Sequence, residues 1–197
     1  MKNINVIVLD VNQYSLEDLL KSPYLTLKNV EEIERIKNTL TKKEKAGSFI
    51  LKNKFIGSYS VNDFNKPISP FMHFNVSHSF GLVVLAINNK DIGIDVELIR
   101  EVDPSLVVFV TSEEEKKHLN GPESFFKIWT SKESLLKCLG LGIRKKLSEI
   151  SSIPFNGLKE YDGETFYSQI TKYRDYIVSI TIQGDEEFDI NFKEESL

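Results

Sequence analysis

With 197 residues, 41% hydrophobic and 27% charged, the chain has the make-up of a folded globular protein. It is long enough for a substantial core in one domain or two small lobes, and is not a disordered chain. A single cysteine, Cys138, excludes an intrachain disulfide and a cysteine zinc cage; among Leu135, Leu136 and Leu139 it reads as a small buried hydrophobe. The net charge of −4 is uneven: residues 1–100 carry 13 basic and 11 acidic side chains, residues 101–197 carry 12 and 18. That balance argues against a general nucleic-acid binder. No apolar run approaches bilayer-spanning length, and the chain opens on a strand-like Ile4–Leu9 instead of a signal peptide, so the expectation is a cytoplasmic protein with no membrane contact.

After that first strand, Gln13 to Lys21 is a short helix candidate with Ser15 as its N-cap and Pro23 limiting its extension. Helical spacing then runs from about Val30 to Leu40 and again from Thr41 or Lys42 to about Gly57, the second stretch burying Ala46, Phe49 and Ile50. Lysines 37, 42, 43, 45, 52 and 54 face a single acid, Glu44, in this pair. Such a basic pair is either a soluble face or a cradle for a phosphate-bearing ligand. Residues 62–70, with Asn65-Lys66-Pro67 and Ser69-Pro70, form a loop into the centre of the chain.

Three strand-like runs follow, Phe74–His78, Leu82–Ile87 and Ile92–Leu98, joined by turns at Ser79–Gly81 and Asn88–Asp91, and the economical reading is an antiparallel meander. On the third run a period of two puts Ile92, Ile94, Val96 and Leu98 on one face, with Asp95 and Glu97 on the other, their side chains about 6–7 Å apart. Two carboxylates so placed are either a solvated strand face or donors for a hard divalent cation such as Mg²⁺, which is commonly held by one or two carboxylates with water and phosphate oxygens.

Past Arg100 the composition turns acidic, and Val102-Asp103-Pro104 reads as a boundary between lobes. Thr111 or Ser112 before Glu113, Glu114 and Glu115 has the character of a helix start. The most legible helix runs from Glu123 to about Leu139, introduced by Gly121-Pro122 and ended by Gly140 and Gly142. Trp129, Glu133 and Lys137 recur every four residues on one of its faces, with Lys132 beside them; the Glu-Lys pair is either a helix salt bridge or a partly buried functional pair. Strands are expected at Ser151–Ile153, Thr165–Ile170, Tyr176–Ile182 and Phe188–Ile190, with a frayed end from Lys193 to Leu197.

Taken together, Phe74-Asn-Val-Ser-His-Ser79, Ile92-Gly-Ile-Asp-Val-Glu97 and Phe126-Lys-Ile-Trp-Thr-Ser-Lys-Glu-Ser-Leu-Leu-Lys137 resemble, in order and spacing, the 4′-phosphopantetheinyl transferases of the surfactin-synthetase-activating (Sfp) type. The resemblance implies an α+β fold of two pseudo-symmetric lobes, here 1–101 and 102–197, with coenzyme A and Mg²⁺ bound in the cleft between them. It implies transfer of the 4′-phosphopantetheine arm to a serine of an acyl or peptidyl carrier protein, with release of adenosine 3′,5′-bisphosphate. Carried over by position, Asp95, Glu97 and Glu133 are the metal-binding carboxylates and Lys137 contacts the phosphate at which the bond breaks. Ser77, His78 and the loop Lys66 help hold coenzyme A, Lys132 and Trp129 flank the site, and Glu114, or Glu113 in the neighbouring register, activates the serine. The family commonly has an arginine where this chain has Ser48, which leaves Lys43, Lys45 and Lys52 as candidates for the 3′-phosphate. The competing readings are another metal-dependent phosphate enzyme and a non-catalytic coenzyme A or carrier-binding module. An acidic carrier helix would suit a basic or apolar surface near Lys116 and Lys117. Two joined lobes already complete a cleft, so a monomer is expected.

Overall fold

The computed structural model describes residues 2–62, 66–140 and 147–197; Asn65 and Gly142, singled out above, lie outside them. The elements in chain order are β1 (Lys2–Asp10), α1 (Leu16–Leu20), α2 (Leu27–Glu34), α3 (Thr39–Phe55), β2 (Ser60–Val61), β3 (Pro67–Ile68), β4 (His73–Ser79), β5 (Leu82–Asn88), β6 (Ile92–Leu98), α4 (Pro104–Val110), α5 (Glu113–Lys116), α6 (Pro122–Leu139), β7 (Gly157–Tyr161), β8 (Glu164–Tyr173), β9 (Tyr176–Gln183) and β10 (Phe188–Glu194). This is an α+β fold.

Local chemistry sets most boundaries. Ser15, Thr26 and Ser112 each close a reciprocal capping box at the start of α1, α2 and α5. Asn38 caps α3, so the helix expected to run on to Leu40 ends at Glu34. Asp103 caps α4 with Pro104 in its first turn, which makes the expected boundary segment the start of a helix. α6 ends on Gly140 in the left-handed region. No helix among the described residues is long and apolar enough to cross a membrane.

Two four-stranded sheets face each other. The first has the order β10-β1-β5-β4, with β1 and β10 parallel and the other pairs antiparallel. The second is β6-β9-β8-β7, antiparallel throughout. Ile4, Val6, Val84 and Ala86 of the first sheet meet Ile92, Ile94, Val96, Val178 and Ile180 of the second in a shared core. The outer face of the first sheet packs on α1–α3 through Leu9, Val83 and Leu85, and that of the second packs on α6 through Phe166 and Ile177. Each of the expected lobes lends a strand to the other's sheet, β6 going to the second and β10 returning to the first.

The expected meander therefore stops after two strands. The far edge of β5 is taken by β1, Val6 pairing with Ala86 and Asp10 with Leu82, so β6 pairs with β9 instead. Toward the C-terminus, Ser151–Ile153 forms no strand, because the Ser152 amide and hydroxyl both donate to Glu115. Strand β7 goes unseen in the sequence because its alternation is inverted: Leu158 is exposed and Lys159 buried. The end is not frayed either; β10 continues to Glu194, Glu195 pairs with Lys54 at 2.6 Å, and the Leu197 amide donates to the Tyr14 hydroxyl.

Helix α6 lies so close to β6 that a Cβ at Gly93 would stand 1.9 Å from the Ser134 carbonyl oxygen and 2.4 Å from the Cys138 nitrogen. Both obstacles are backbone. Gly93→Ala is thus expected to cost about 3 kcal/mol or more, the upper end for overpacking, since nothing nearby can rotate away. Denaturant unfolding of the purified variant checks it; wild-type stability would mean that the helix and strand lie farther apart.

Candidate active site

The two sheets also meet edge to edge. β4 and β6 run side by side with no backbone pairing, and side chains at every second residue of β4 bridge them. The Asn75 side-chain oxygen accepts from the Ile94 amide at 3.1 Å, Ser77 donates to Asp95 at 2.9 Å, and Ser79 donates to Glu97 at 2.8 Å. This seam is the floor of a cleft of about 410 Å³ whose walls are α3 and α6. Lys45, Ser48 and Lys52 line one wall and Trp129, Glu133 and Lys137 the other. The four-residue spacing read from the sequence thus does bring the last three together.

The floor carries the acids. Because Ile92, Ile94 and Val96 enter the core between the sheets, the period of two turns Gly93, Asp95 and Glu97 the other way, toward α6 and the cleft. Lys137 donates to Asp95 Oδ1 at 2.6 Å and to Ser77 Oγ at 2.9 Å. Burial, together with the nearby Asp95 and Glu97 charges and against the pull of Lys137, pushes Glu133 up to about 7. Burial and the Asp95 charge likewise raise Glu97, despite its bonds to Ser79 and Arg100. Three acids that repel one another in a partly dry cleft are an arrangement that a cation relieves.

Among the described residues no group of three or more His, Cys, Asp or Glu side chains is already gathered as a metal site. Two observations nonetheless fit a hard cation. Asp95 Oδ2 and Glu133 Oε1 are buried with no hydrogen-bond partner, and both residues line the cleft. A buried unpartnered carboxylate oxygen is costly, and two of them match the small carboxylate set that Mg²⁺ takes beside water and phosphate. Glu97 differs, since its Oε2 is already engaged by Ser79 and by Arg100 at 3.0 Å.

His78 reaches the cleft from β4, its Nδ1 lying 3.3 Å from Glu44. Burial raises Glu44, but the bonds from His78 and the Gly81 amide outweigh it and hold the carboxyl below its ordinary range. The lone acid of the lysine-rich pair is thus the partner of His78, a link with no sign in the residue pattern. On α3, burial and the neighbouring Lys45 lower Lys52 to about 8; its ammonium lies over the Phe49 and Tyr59 rings.

Four of the expected site residues stand elsewhere. Lys132, one position from Glu133, is turned about 100° around the helix and is 0% exposed. Its ammonium donates to Glu115 at 2.5 Å and to the Val110 and Leu147 carbonyls, so it holds α5 and the segment at 147 against α6 and does not reach the cleft. Lys66 bonds Asp91 and the Cys138 carbonyl in a separate hollow of about 400 Å³, also lined by His73 and Glu164. Lys43 is half-buried outside the cleft lining, where Lys45 and Lys52 stand instead. Glu114 is exposed on α5 and does not line the cleft. Cys138 is buried, and that burial pushes its thiol up to about 12, which suits an inert core residue.

Residues 91–181 match the 4′-phosphopantetheinyl transferase superfamily. The 4′-phosphopantetheinyl transferase gsp of Aneurinibacillus migulanus is 40% identical over 92 residues, 43% of this chain and 39% of that protein. A 4′-phosphopantetheinyl transferase of Bacillus subtilis is 33% identical over 103 residues, 48% and 46%. The transferase Sfp of Bacillus subtilis strain 168 is 29% identical over 102 residues, 47% and 46%. The matched segments thus span less than half the length of these relatives. The crystal structure of Thermotoga maritima holo-[acyl-carrier-protein] synthase aligns with a TM-score of 0.38 and 17% identity, over 49% of this chain and 64% of that one.

Proposed function

We propose that this chain, which resembles the 4′-phosphopantetheinyl transferases across the segment carrying its acids, moves the 4′-phosphopantetheine group from coenzyme A to a serine hydroxyl of an acyl or peptidyl carrier protein. The observation that carries the reading is the pair of buried, unpartnered oxygens, Asp95 Oδ2 and Glu133 Oε1, in one cleft with Lys137 and a basic α3 wall. Mg²⁺ held by Asp95, Glu133 and the Glu97 oxygen that Ser79 and Arg100 leave open would neutralise the diphosphate and make its phosphorus more electrophilic.

The chain's own groups supply the rest. Attack of the serine oxygen forms an O–P bond at the β-phosphorus and breaks the bond to the bridging oxygen, so charge builds on the nonbridging and leaving oxygens. Lys137, fixed by Asp95 and Ser77, offsets that charge without having to reorient. His78, steadied by Glu44, and the Lys45 and Lys52 ammonium groups attract and hold the phosphates from the α3 side. The resemblance assigns the proton of the attacking serine to Glu114, which is exposed on α5 outside the cleft lining and would take it only where the docked carrier brings its serine between α5 and the cleft.

Incubating the protein with coenzyme A, Mg²⁺ and an apo carrier domain should convert the carrier to a species heavier by one phosphopantetheine group, read by intact-protein mass spectrometry. Asp95→Asn should lower the conversion rate by about 10³-fold, the scale for losing a preorganised charge contact in a shielded site. Unmodified carriers across a panel of acyl and peptidyl types, alongside an active control transferase, would refute the assignment.

A further inference from the structure

The seam between β4 and β6 has a regularity that the catalytic reading leaves unused. Ser77 and Ser79 are two residues apart on one strand, Asp95 and Glu97 are two apart on the other, and each hydroxyl meets one carboxylate. Each hydroxyl also receives a donor whose direction is fixed. Ser79 Oγ accepts from the Leu98 amide at 3.3 Å, and Ser77 Oγ accepts from Lys137. A hydroxyl that accepts an N–H in this way has its own proton free to point at the acid. For Glu97 a second clamp closes on the same atom: Arg100 Nη1 donates to Oε2 at 3.0 Å and to the Leu98 carbonyl at 2.9 Å. The guanidinium is in turn held between the Phe80 and Phe126 rings, 4.8 and 4.7 Å from their centroids.

We propose that Ser79 is a positioning residue: with Arg100 it pins Glu97 Oε2 against the seam and so presents the rest of that carboxylate to the cation in the cleft. The proposal rests on the reading of the cleft as a divalent-cation site. Unpinned, Glu97 would turn about its side-chain torsions and cation binding would have to order it. Ser79 is neutral, so removing its hydroxyl takes no formal charge from the site; because its bond also favours the ionised Glu97, affinity is compared at alkaline pH, where Glu97 is ionised in both proteins and a loss reports geometry.

The test is Mn²⁺ binding to the full chain without coenzyme A or carrier, followed by electron paramagnetic resonance of the free ion. Ser79→Ala should weaken binding about tenfold, the lower end for one lost hydrogen bond to a charged group, and Ser79→Thr, which keeps a hydroxyl, should restore it to within about twofold. In a Glu97→Gln background Ser79→Ala should add nothing, because it acts only through Glu97. Arg100→Lys keeps the charge but loses the flat fork, and should give the same non-additive weakening; it carries the test if Ser79→Ala does not fold. Unchanged affinity in Ser79→Ala, or an undiminished effect in the Glu97→Gln background, would overturn the proposal. Wild-type protein that binds no Mn²⁺, or an Asp95→Asn variant that binds it as well as wild type, would instead remove the cation site and the proposal with it.

Discussion

Glu133→Gln is expected to give a protein that is more stable than wild type at pH 8 without divalent cations, yet about 10³-fold slower in carrier modification. The stability half follows from linkage. Burial and the Asp95 and Glu97 charges raise the carboxyl from 4.5 to about 7 in the folded chain. Its contribution to stability is therefore fully present below pH 4.5 and is lost as pH rises toward 7 and beyond. At 1.36 kcal/mol per unit, the ionised side chain destabilises the fold by on the order of 3 kcal/mol at pH 8. The amide carries no charge at any pH, so the difference between variant and wild type should be near zero at pH 4.5 and largest above pH 7. Urea unfolding in chelator across this range measures it. Added Mg²⁺ should then stabilise wild type but not the variant, because only a ligand bound by the folded state shifts its unfolding. A variant no more stable than wild type at pH 8 would mean that Glu133 is neither buried nor crowded by the Asp95 and Glu97 charges as described.

Lys132→Ala and Lys137→Ala are expected to fail in opposite ways. The two lysines are five residues apart on α6, but Lys132 is 0% exposed on Glu115 and Lys137 is 29% exposed on Asp95 at the cleft. Removing Lys132 strands the Glu115 carboxylate, which also receives the Ser152 and Ser112 amides, in a buried pocket. Breaking a buried ion pair from one side costs about 3–5 kcal/mol, or roughly 10 °C in the melting midpoint for a chain of this size. The KM for coenzyme A of the fraction that remains folded should be unchanged. With Mg²⁺ present to offset the Asp95 charge, Lys137→Ala should melt within a few degrees of wild type and lose most of its turnover. Replacing both members of the buried pair, as in Lys132→Met with Glu115→Leu, should recover much of the lost stability. A raised KM for coenzyme A in Lys132→Ala, with an unchanged midpoint, would return Lys132 to the cleft.

These two lysines also mark where sequence reading succeeds, at Lys137, and where it fails, at Lys132. Periodicity within one element is local geometry, so Asp95 and Glu97 on one strand face, and Trp129, Glu133 and Lys137 on one helix face, could be read directly and do converge. So could the caps at Ser15 and Ser112, whose partners are three residues away. Lys132 was misplaced because proximity in sequence to Glu133 says nothing about facing: neighbours on a helix diverge by about 100°.

What could not be read depends on partners distant in the chain. The return of β10 to lie parallel to β1, and the departure of β6 to β9, are settled by which strand edges are left open, and no residue within those strands announces it. Glu44 looked like a lone acid among lysines until the fold set it beside His78 and Gly81. Ser79 carried a usable hint, since its two-residue spacing from Ser77 matches that of the acids it faces.

Whether Asp95 and Glu133 share one cation in the cleft is tested most directly by anomalous scattering from crystals grown with Mn²⁺ and coenzyme A. The expected result is a single strong manganese peak in contact with Asp95 Oδ2, Glu133 Oε1 and the free oxygen of Glu97, with diphosphate oxygens among its remaining ligands and Lys137 beside them. Coenzyme A bound with no manganese between Asp95 and Glu133, or manganese bound outside the cleft, would contradict it.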